Sequence, residues 1–276
     1  GLRSEDRAMR DALAEQDYLY TLFELGDAPG TEVRVIAALN GMLLAEDGAQ
    51  ALLAKLAEPG IRIVSLTITE GGYCIDDSTG EFRADLPLIE HDLANPQAPR
   101  SVFGYLCEAL RRRREAGTGP FTVMSCDNLP HNGAVARKAL LAFAHLLDHD
   151  LAQWIDGHVS FPNAMVDRIT PMTSPAHRQQ LLERHGVEDA WPVVCEPFLQ
   201  WVVEDKFVAG RPAWEKVGVQ FTDDVTPYEA MKIKLLNGSH LALTYLGFLQ
   251  GYRFVHETLE DPLLRRYMPV SYTHLR

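Results

Sequence analysis

The chain has 276 residues, 46% of them hydrophobic, and no stretch approaches the roughly 20 consecutive apolar residues that a membrane span needs. Its 26 basic and 38 acidic residues give a formal net charge of -12, which argues against nucleic acid or an anionic membrane as the main partner. The four cysteines show no zinc-ligand spacing, so we expect free thiols, no bound metal and a reducing, cytoplasmic location.

Helical and extended patterns alternate along the first half of the chain. Periodicity predicts a helix over residues 4–25 and then a strand in "TEVRVIAAL". The next predicted elements are, in order, the helix "EDGAQALLAKLAEPG", the strand "IRIVSLTIT", the helix "VFGYLCEALRRRREAG", the strand "FTVMSC" and the helix "GAVARKALLAFAHLLDHDLAQWI". Strands separated by helices predict parallel βαβ units in a doubly wound α/β sheet.

The pattern changes after residue 160. The stretch "FPNAMVDRITPMTSP" is typical of a turn-rich loop, and "WPVVCEPFLQWVVEDKF" predicts one or two strands. Beyond "VQFTDDVTP" almost every residue fits a helical pattern. We therefore predict a first domain over residues 1–222 and a helical region over residues 223–276.

A glycine-rich nucleotide-binding motif is absent from this sequence. Parallel sheets of this kind often bind a dinucleotide through G-x-G-x-x-G, which occurs nowhere here. The stretch "TEGGY", residues 69–73, follows a predicted strand but is only a weak signal for such a motif. Two adjacent glycines are more typical of a plain turn.

Three polar residues interrupt the apolar helical stretch "MKIKLLNGSHLAL". At about 100° per residue, Asn237 lies about 140° around the helix from Lys232, and His240 lies between them. Their apolar neighbours predict a packed helix: Ile233, Leu235, Leu236, Leu241 and Leu243. Burial would lower the pKa of the lysine, which could then exchange a proton with a hydroxyl while amides hold the oxygen. In the alternative interpretation the lysine is exposed and the histidine is a core residue.

Two other polar stretches follow predicted strands or lie in loops. In "SCDNLPHNG", Asp127, Asn128 and Asn132 lie at the carboxyl end of a strand, where open α/β sheets bind ligands. Turn and helix-cap chemistry would explain the same residues. In "FPNAMVDRITP", Asp167 and Arg168 could form a purely structural pair.

Six stretches occur in an order that identifies a family. They are "LTITEGGY", "SCDNLPHNG", "FPNAMVDRITP", "VCEPFLQWVVEDKF", "GVQFTDD" and "MKIKLLNGSH". With them the chain resembles the polyol-specific long-chain dehydrogenases, the mannitol dehydrogenase family, which also contains fructuronate and tagaturonate reductases. The resemblance covers approximately residues 5–268.

The resemblance implies roles for particular residues in a zinc-free, NAD(P)-dependent enzyme. In the family's K-x4-N-x2-H motif, Lys232 would be the general acid-base, Asn237 would hold the reacting oxygen and His240 would orient the substrate. Asn128 would be the second donor to that oxygen.

The remaining assignments are less specific to the motif. Val166 and Asp167 match positions that line the substrate site, and Thr69 and Glu70 match a loop on the nucleotide side. We add Glu229, three residues before Lys232, as the group that exchanges the lysine's proton with solvent. An exposed pair on the helix surface is the alternative for this glutamate.

The resemblance also implies the architecture and the reaction. Residues 1–222 would be a Rossmann-like domain that lacks its first strands and Gly-rich turn, and residues 223–276 would begin a helical substrate domain. The predicted reaction interconverts D-mannitol and D-fructose with NAD, and NADP stays open. A fructuronate or tagaturonate reductase and a non-catalytic fragment without the cofactor turn are the alternatives. Family members are often monomeric, so a monomer is expected.

Overall fold

The computed structural model describes residues 4–24 and 33–272, and in its first helix it describes side chains from residue 7 onward. The chain divides into two compact units, Gly1–Phe221 and Thr222–Arg276. Within the residues that the structure describes, no helix is both long and apolar enough to cross a membrane.

The first unit mixes helices and strands. Its described helices are α1 (Ser4–Glu15), α2 (Ala49–Ala57), α3 (Thr69–Gly72), α4 (Pro87–Ala94), α5 (Val102–Glu115), α6 (Asn132–Leu147), α7 (His149–His158) and α8 (Pro175–His185). The described strands of the chain are β1 (Tyr20–Glu24), β2 (Val33–Ile36), β3 (Ile63–Leu66), β4 (Thr122–Ser125), β5 (Ala164–Asp167), β6 (Val193–Cys195), β7 (Gln200–Glu204) and β8 (Gln220–Thr222).

The predicted parallel βαβ arrangement is present at β3 and β4. These strands pair in parallel from Ile63 opposite Thr122 to Leu66 opposite Ser125, and α3, α4 and α5 lie between them in the chain. Helix α5 begins where the Ser101 hydroxyl accepts a hydrogen bond from the Gly104 N–H at 3.0 Å. Residues 103–110 are all buried, so this helix runs through the main hydrophobic core.

Two segments of the first unit differ from the sequence prediction. Residues 20–24 form β1, which pairs antiparallel to β2 and parallel to β6, although helical periodicity predicts a helix there. The helix ends early because Asp17 and Tyr18 adopt left-handed backbone conformations with φ of 54° and 58°. Residues 164–167, predicted as loop, form β5, which pairs antiparallel to β7. The strands are therefore of mixed direction.

A predicted single helix is divided at Asp148. Its side chain accepts hydrogen bonds from the N–H groups of Asp150 and Leu151 at 2.9 and 3.0 Å, and it adopts an extended backbone. Asp148 therefore ends α6 and caps α7, because a helix interior leaves no free N–H for such a side chain.

The second unit is helical, as predicted. It contains α9 (Thr226–Met231), a π-helical turn (Lys232–Asn237), α10 (Gly238–Leu249), α11 (Val255–Thr258) and α12 (Pro262–Tyr272). Leu243, Leu264 and Met268 form its buried cluster. Gly247 faces Thr258 so closely that a Cβ there would lie 2.4 Å from the threonine methyl carbon. A glycine is therefore what lets α10 and α11 pack together.

Candidate active site

The candidate catalytic motif of the second unit lies on one continuous helical stretch from residue 226 to residue 249. Lys232 and Asn237 are the first and last residues of its π turn, in which the N–H of Gly238 bonds to the carbonyl of Ile233. Bonds between residues five apart widen a helical turn, so Lys232 and Asn237 lie closer around the axis than the predicted 140°. Such single π turns within α-helices are frequently found at functional sites.

The burial of these side chains removes two of the alternative interpretations. Glu229 is 7% exposed, so it does not lie on the helix surface. His240 is exposed and is not a core histidine, whereas Lys232 and Asn237 are half-buried. The helix therefore presents a graded polar face, from a buried carboxylate to an exposed imidazole.

The prediction that this helix is largely packed is wrong. Only Leu243, at 5% exposure, is buried among the apolar neighbours of the motif. The others are 43% to 58% exposed: Ile233, Leu235, Leu236 and Leu241. Helices α11 and α12 pack against α10, which carries Leu243, whereas the π turn has its main contacts, among the described residues, with the adjoining α9 and α10.

A serine next to the motif joins the π turn to α12. The Ser239 hydroxyl donates to the Leu235 carbonyl inside the π turn and lies 3.1 Å from the Tyr272 hydroxyl. A hydroxyl bonded to a carbonyl four residues back competes with the regular helix bonds, which is consistent with the irregular turn at this point.

In the first unit, the polar stretch after β4 is organised by the carboxylate of Asp127. Its oxygens accept hydrogen bonds from the N–H of Ile68 at 3.0 Å and of Thr69 at 2.9 Å. They also accept one from the Tyr73 hydroxyl at 2.6 Å, which lies 2.5 Å from the Ser125 hydroxyl. The end of β4 and the turn after β3 are thus bonded directly to each other.

Asn132 makes a second link at the same strand ends. Its amide nitrogen donates to the carbonyl of Asp127 at 3.0 Å and to that of Ala164 at 2.7 Å, and its oxygen accepts from the N–H of Ala164 at 2.9 Å. The side chain is fully buried. It therefore ties the start of β5 to the loop that contains Asn128.

The candidate residues of the first unit lie around these links. Asn128, Thr69 and Glu70 are exposed, and Val166 and Asp167 are half-buried on β5 opposite Trp201 and Gln200. The structure thus brings the stretch 68–73, the loop after β4 and β5 into one bonded network.

Arg168 has a structural partner. Its guanidinium forms an ion pair with Glu24 at 3.0 Å and donates to the carbonyl of Glu196 at 3.0 Å. These contacts connect β5 with β1 and with the segment after β6, which supports the structural interpretation of the arginine.

The surroundings of Tyr73 and Cys126 favour the neutral form of each side chain. Burial and the hydrogen bond to Asp127 raise the pKa of Tyr73 above its usual range. Burial, together with the charge of Asp127, raises the pKa of Cys126 to about 11. Among the described residues, no cluster of three or more His, Cys, Asp or Glu side chains could hold a metal ion.

Sequence reasoning missed two members of the network. Tyr73 and Ser125 are both buried, and their hydroxyls meet each other although 52 residues separate them in the chain. The available signal was positional, because each residue lies next to a strand end in a motif already singled out, the tyrosine of "TEGGY" and the serine of "SCDN".

Fold and site together define a two-part α/β protein, with polar side chains at parallel strand ends in one unit and a polar helix face in the other. Two family models match it: the mannitol dehydrogenase Rossmann domain over residues 2–216 and the mannitol dehydrogenase C-terminal domain over residues 224–273. The chain belongs to the mannitol dehydrogenase family, which confirms the resemblance of its motifs.

Named relatives agree with this assignment. A mannitol 2-dehydrogenase of Aspergillus fumigatus is 50% identical over 273 residues, which are 97% of this chain and 54% of the relative. One of Phaeosphaeria nodorum is 51% identical over 263 residues, 94% of this chain and 46% of the relative. The chain thus spans about half the length of these relatives.

Two solved structures share the fold. A ternary complex of Pseudomonas fluorescens mannitol 2-dehydrogenase with NAD and D-mannitol is 75% identical, with a TM-score of 0.91 over 98% of this chain and 55% of that one. A D-sorbitol dehydrogenase in substrate-free form is 47% identical, with a TM-score of 0.93 over 97% and 55%.

Proposed function

We propose that this chain carries the catalytic residues of an NAD-dependent polyol dehydrogenase that interconverts D-mannitol and D-fructose. The observation that carries the proposal is the K-x4-N-x2-H motif, with Lys232 and Asn237 at the two ends of a π turn. The 75% identical relative with bound NAD and D-mannitol supports this choice of substrate and cofactor.

In the proposed reaction, the chain's own residues handle the proton and the oxygen. The neutral amine of Lys232 accepts the hydroxyl proton as the carbinol carbon loses hydride, so a ketone, reduced nucleotide and ammonium are formed. In the reverse direction the ammonium returns the proton to the ketone oxygen. Buried Glu229, three residues before Lys232 on the helix, then exchanges that proton with solvent.

Two amides stabilise the negative charge that develops on the reacting oxygen. Asn237 donates from the helix and Asn128 from the loop after β4, and each good donor to such an oxygen contributes about 10²–10³ in rate. His240 orients the neighbouring hydroxyls of the substrate, and Val166 and Asp167 line the site. The substrate is thereby held in the one orientation that presents its carbinol to Lys232.

NAD, when bound, supplies the hydride acceptor for alcohol oxidation. The exposed hydroxyl of Thr69 and carboxylate of Glu70 follow the carboxyl end of β3, and such groups suit the ribose hydroxyls of a nucleotide. The bonds from Ile68 and Thr69 to Asp127 hold this turn in place. The residues present therefore fit the nucleotide side of the site.

A substrate and nucleotide panel tests the proposal. The chain is assayed for NAD and NADP reduction with D-mannitol and D-sorbitol, and for NADH and NADPH oxidation with D-fructose, D-fructuronate and D-tagaturonate. We expect turnover with D-mannitol and D-fructose and with NAD. Turnover confined to a keturonate would favour the reductase alternative, and nucleotide binding without any turnover would favour the non-catalytic one.

A further inference from the structure

We infer that Asp127 is a positioning residue for Asn128: its carboxylate bonds the turn after β3 to the end of β4 and so fixes the backbone from which the Asn128 amide projects. The inference rests on the proposed role of Asn128 as a donor to the reacting oxygen. Asp127 itself is turned toward the protein and bonds to three protein donors, so it acts through its neighbour.

The Asp127 carboxylate accepts its hydrogen bonds from a distant part of the chain. All three donors to Asp127 come from residues 54 to 59 positions earlier in the chain: the N–H groups of Ile68 and Thr69 and the hydroxyl of Tyr73. Bonds to a carboxylate are shorter and stronger than bonds between neutral groups, and this carboxylate is only 8% exposed. The contact between the two strand ends is thus both specific and protected from water.

The backbone carbonyl and N–H of Asp127 are hydrogen-bonded as well. Its carbonyl accepts from the amide of Asn132 at 3.0 Å and from the N–H of Leu129 at 2.9 Å. Its N–H donates to the Ser125 hydroxyl at 3.3 Å. Every polar group of Asp127 is therefore held, and Asn128, the next residue, is exposed on a loop whose start cannot shift freely.

The turn that Asp127 holds has a strained backbone. Thr69 adopts φ of 61°, a left-handed conformation that is rare for a β-branched residue. Such a conformation is strained and persists only where surrounding contacts enforce it. The bond from the Thr69 N–H to the carboxylate is such a contact, so loss of the carboxylate should let the turn relax and loosen the loop of Asn128.

The substitution Asp127→Asn is a sharp perturbation of this arrangement. It keeps the shape of the side chain but replaces one acceptor oxygen by an NH₂ group. In either orientation of the amide, this NH₂ group would face a hydrogen-bond donor. Asp92 offers a matched control, because it is fully buried and accepts from two consecutive N–H groups, those of Arg100 and Ser101, and from His91.

The test compares Asp127→Asn, Asp92→Asn, Asn128→Ala and the double variant Asp127→Asn/Asn128→Ala in the full chain. Both aspartate variants should lower the melting temperature. Only Asp127→Asn should lower kcat for D-mannitol oxidation, by about tenfold or more, whereas Asp92→Asn should keep kcat within twofold. In the Asn128→Ala background the Asp127→Asn change should alter kcat by less than twofold, because its effect passes through Asn128.

The inference would be overturned if the fold-loss of kcat in the double variant equalled the product of the fold-losses in Asp127→Asn and Asn128→Ala. A kcat of Asp127→Asn within twofold of the parent would overturn it as well. Tyr73→Phe, which removes one of the three donors, serves as the milder variant and should lower kcat by less than Asp127→Asn does. If the parent chain shows no turnover, the proposed function fails, and amide hydrogen exchange decides the positioning role. Exchange in residues 68–73 and 126–131 should accelerate at least tenfold in Asp127→Asn and stay unchanged in Asp92→Asn, and unchanged exchange in both would overturn it.

Discussion

Lys232 and Asn237 bound a π turn in a stretch that is otherwise α-helical, so the two residues that the family motif pairs lie closer around the axis than five α-helical positions allow. The wider turn gives a physical reason for the five-residue spacing of the motif. It brings an amine and an amide toward the same side of the helix, which is the arrangement that the proposed proton transfer at a held oxygen needs.

The amide of Asn237 should matter to the rate far more than to stability. Asn237→Ala removes a half-buried amide that we assign to the reacting oxygen, and we expect kcat to fall by about 10²–10³. Steady-state kinetics of D-mannitol oxidation would measure it. Gln250→Ala, which removes an exposed amide at the end of the same helix, should leave kcat within twofold, and equal losses in both variants would contradict the assignment.

Gly247 should be intolerant of any side chain. A Cβ there would lie 2.4 Å from the Thr258 methyl carbon, so Gly247→Ala should destabilise the chain by about 1–3 kcal/mol. Chemical denaturation would measure the free energy of unfolding. Thr258→Ser keeps the hydroxyl that bonds the Val255 carbonyl and removes the methyl group, so the double variant should recover most of the loss.

Gly238 provides the comparison in the same helical stretch. The nearest atom to a Cβ at this position is the Ile233 carbonyl oxygen at 3.6 Å, an ordinary contact. Gly238→Ala should therefore be neutral or stabilising, by up to about 1 kcal/mol. A loss as large as that of Gly247→Ala would show that crowding is not the reason for the glycine at 247.

Gly133 should be required for the close approach of the start of α6 to the segment that precedes β5. A Cβ there would lie 2.4 Å from the Pro162 carbonyl oxygen, and this backbone atom cannot turn away as a flexible side chain could. We expect Gly133→Ala to cost about 3 kcal/mol. Gly157→Ala in α7, where nothing lies within 4 Å of the added carbon, should cost nothing, and similar unfolding curves for the two variants would contradict this packing.

The partly buried thiol of Cys126 should make stability depend on pH in the alkaline range. Its pKa is about 11 in the folded chain, against about 8.5 for an unfolded cysteine. The folded state thus keeps a proton that the unfolded state loses, and the resulting stabilisation is present below about pH 8.5 and lost as pH rises toward 11. Cys126→Ala removes this contribution.

Unfolding free energies at pH 8 and pH 10 would measure the effect. The difference between the parent and Cys126→Ala should shrink by about 1–2 kcal/mol between these two pH values. Val135→Ala, which removes a half-buried apolar side chain and no titrating group, should give a difference that is the same at both. A Cys126→Ala difference that does not change with pH would contradict the raised pKa.

The sequence predicted the elements whose signals are local. Strands β3 and β4 and helix α5 follow from alternating or helical patterns that end in turn residues. Strand β1 was missed because residues 20–24 continue a helical spacing, while the left-handed residues Asp17 and Tyr18 that end α1 leave no mark in composition. Strand β5 was missed because prolines flank it and its pairing with β7 is decided by distant residues.

The sequence predicts the candidate site as a set of motifs and not as a geometry. Asn128, Lys232 and Asn237 stand in stretches that identify the family, whereas the π turn depends on one added residue per turn that a 3.6-residue pattern cannot reveal. The bonds among Tyr73, Ser125 and Asp127 join segments more than 50 residues apart, and no local pattern encodes such contacts.

Two lysines of one π turn allow the proposed role of Lys232 to be tested against a matched control. Lys232→Ala removes the proposed general acid-base, and Lys234→Ala removes an exposed lysine two residues away with the same charge and size. We measure kcat for D-mannitol oxidation with NAD in both variants and in the parent. We predict a loss of at least about 10²-fold for Lys232→Ala and less than twofold for Lys234→Ala. Turnover retained in Lys232→Ala, or lost equally in both, would contradict it.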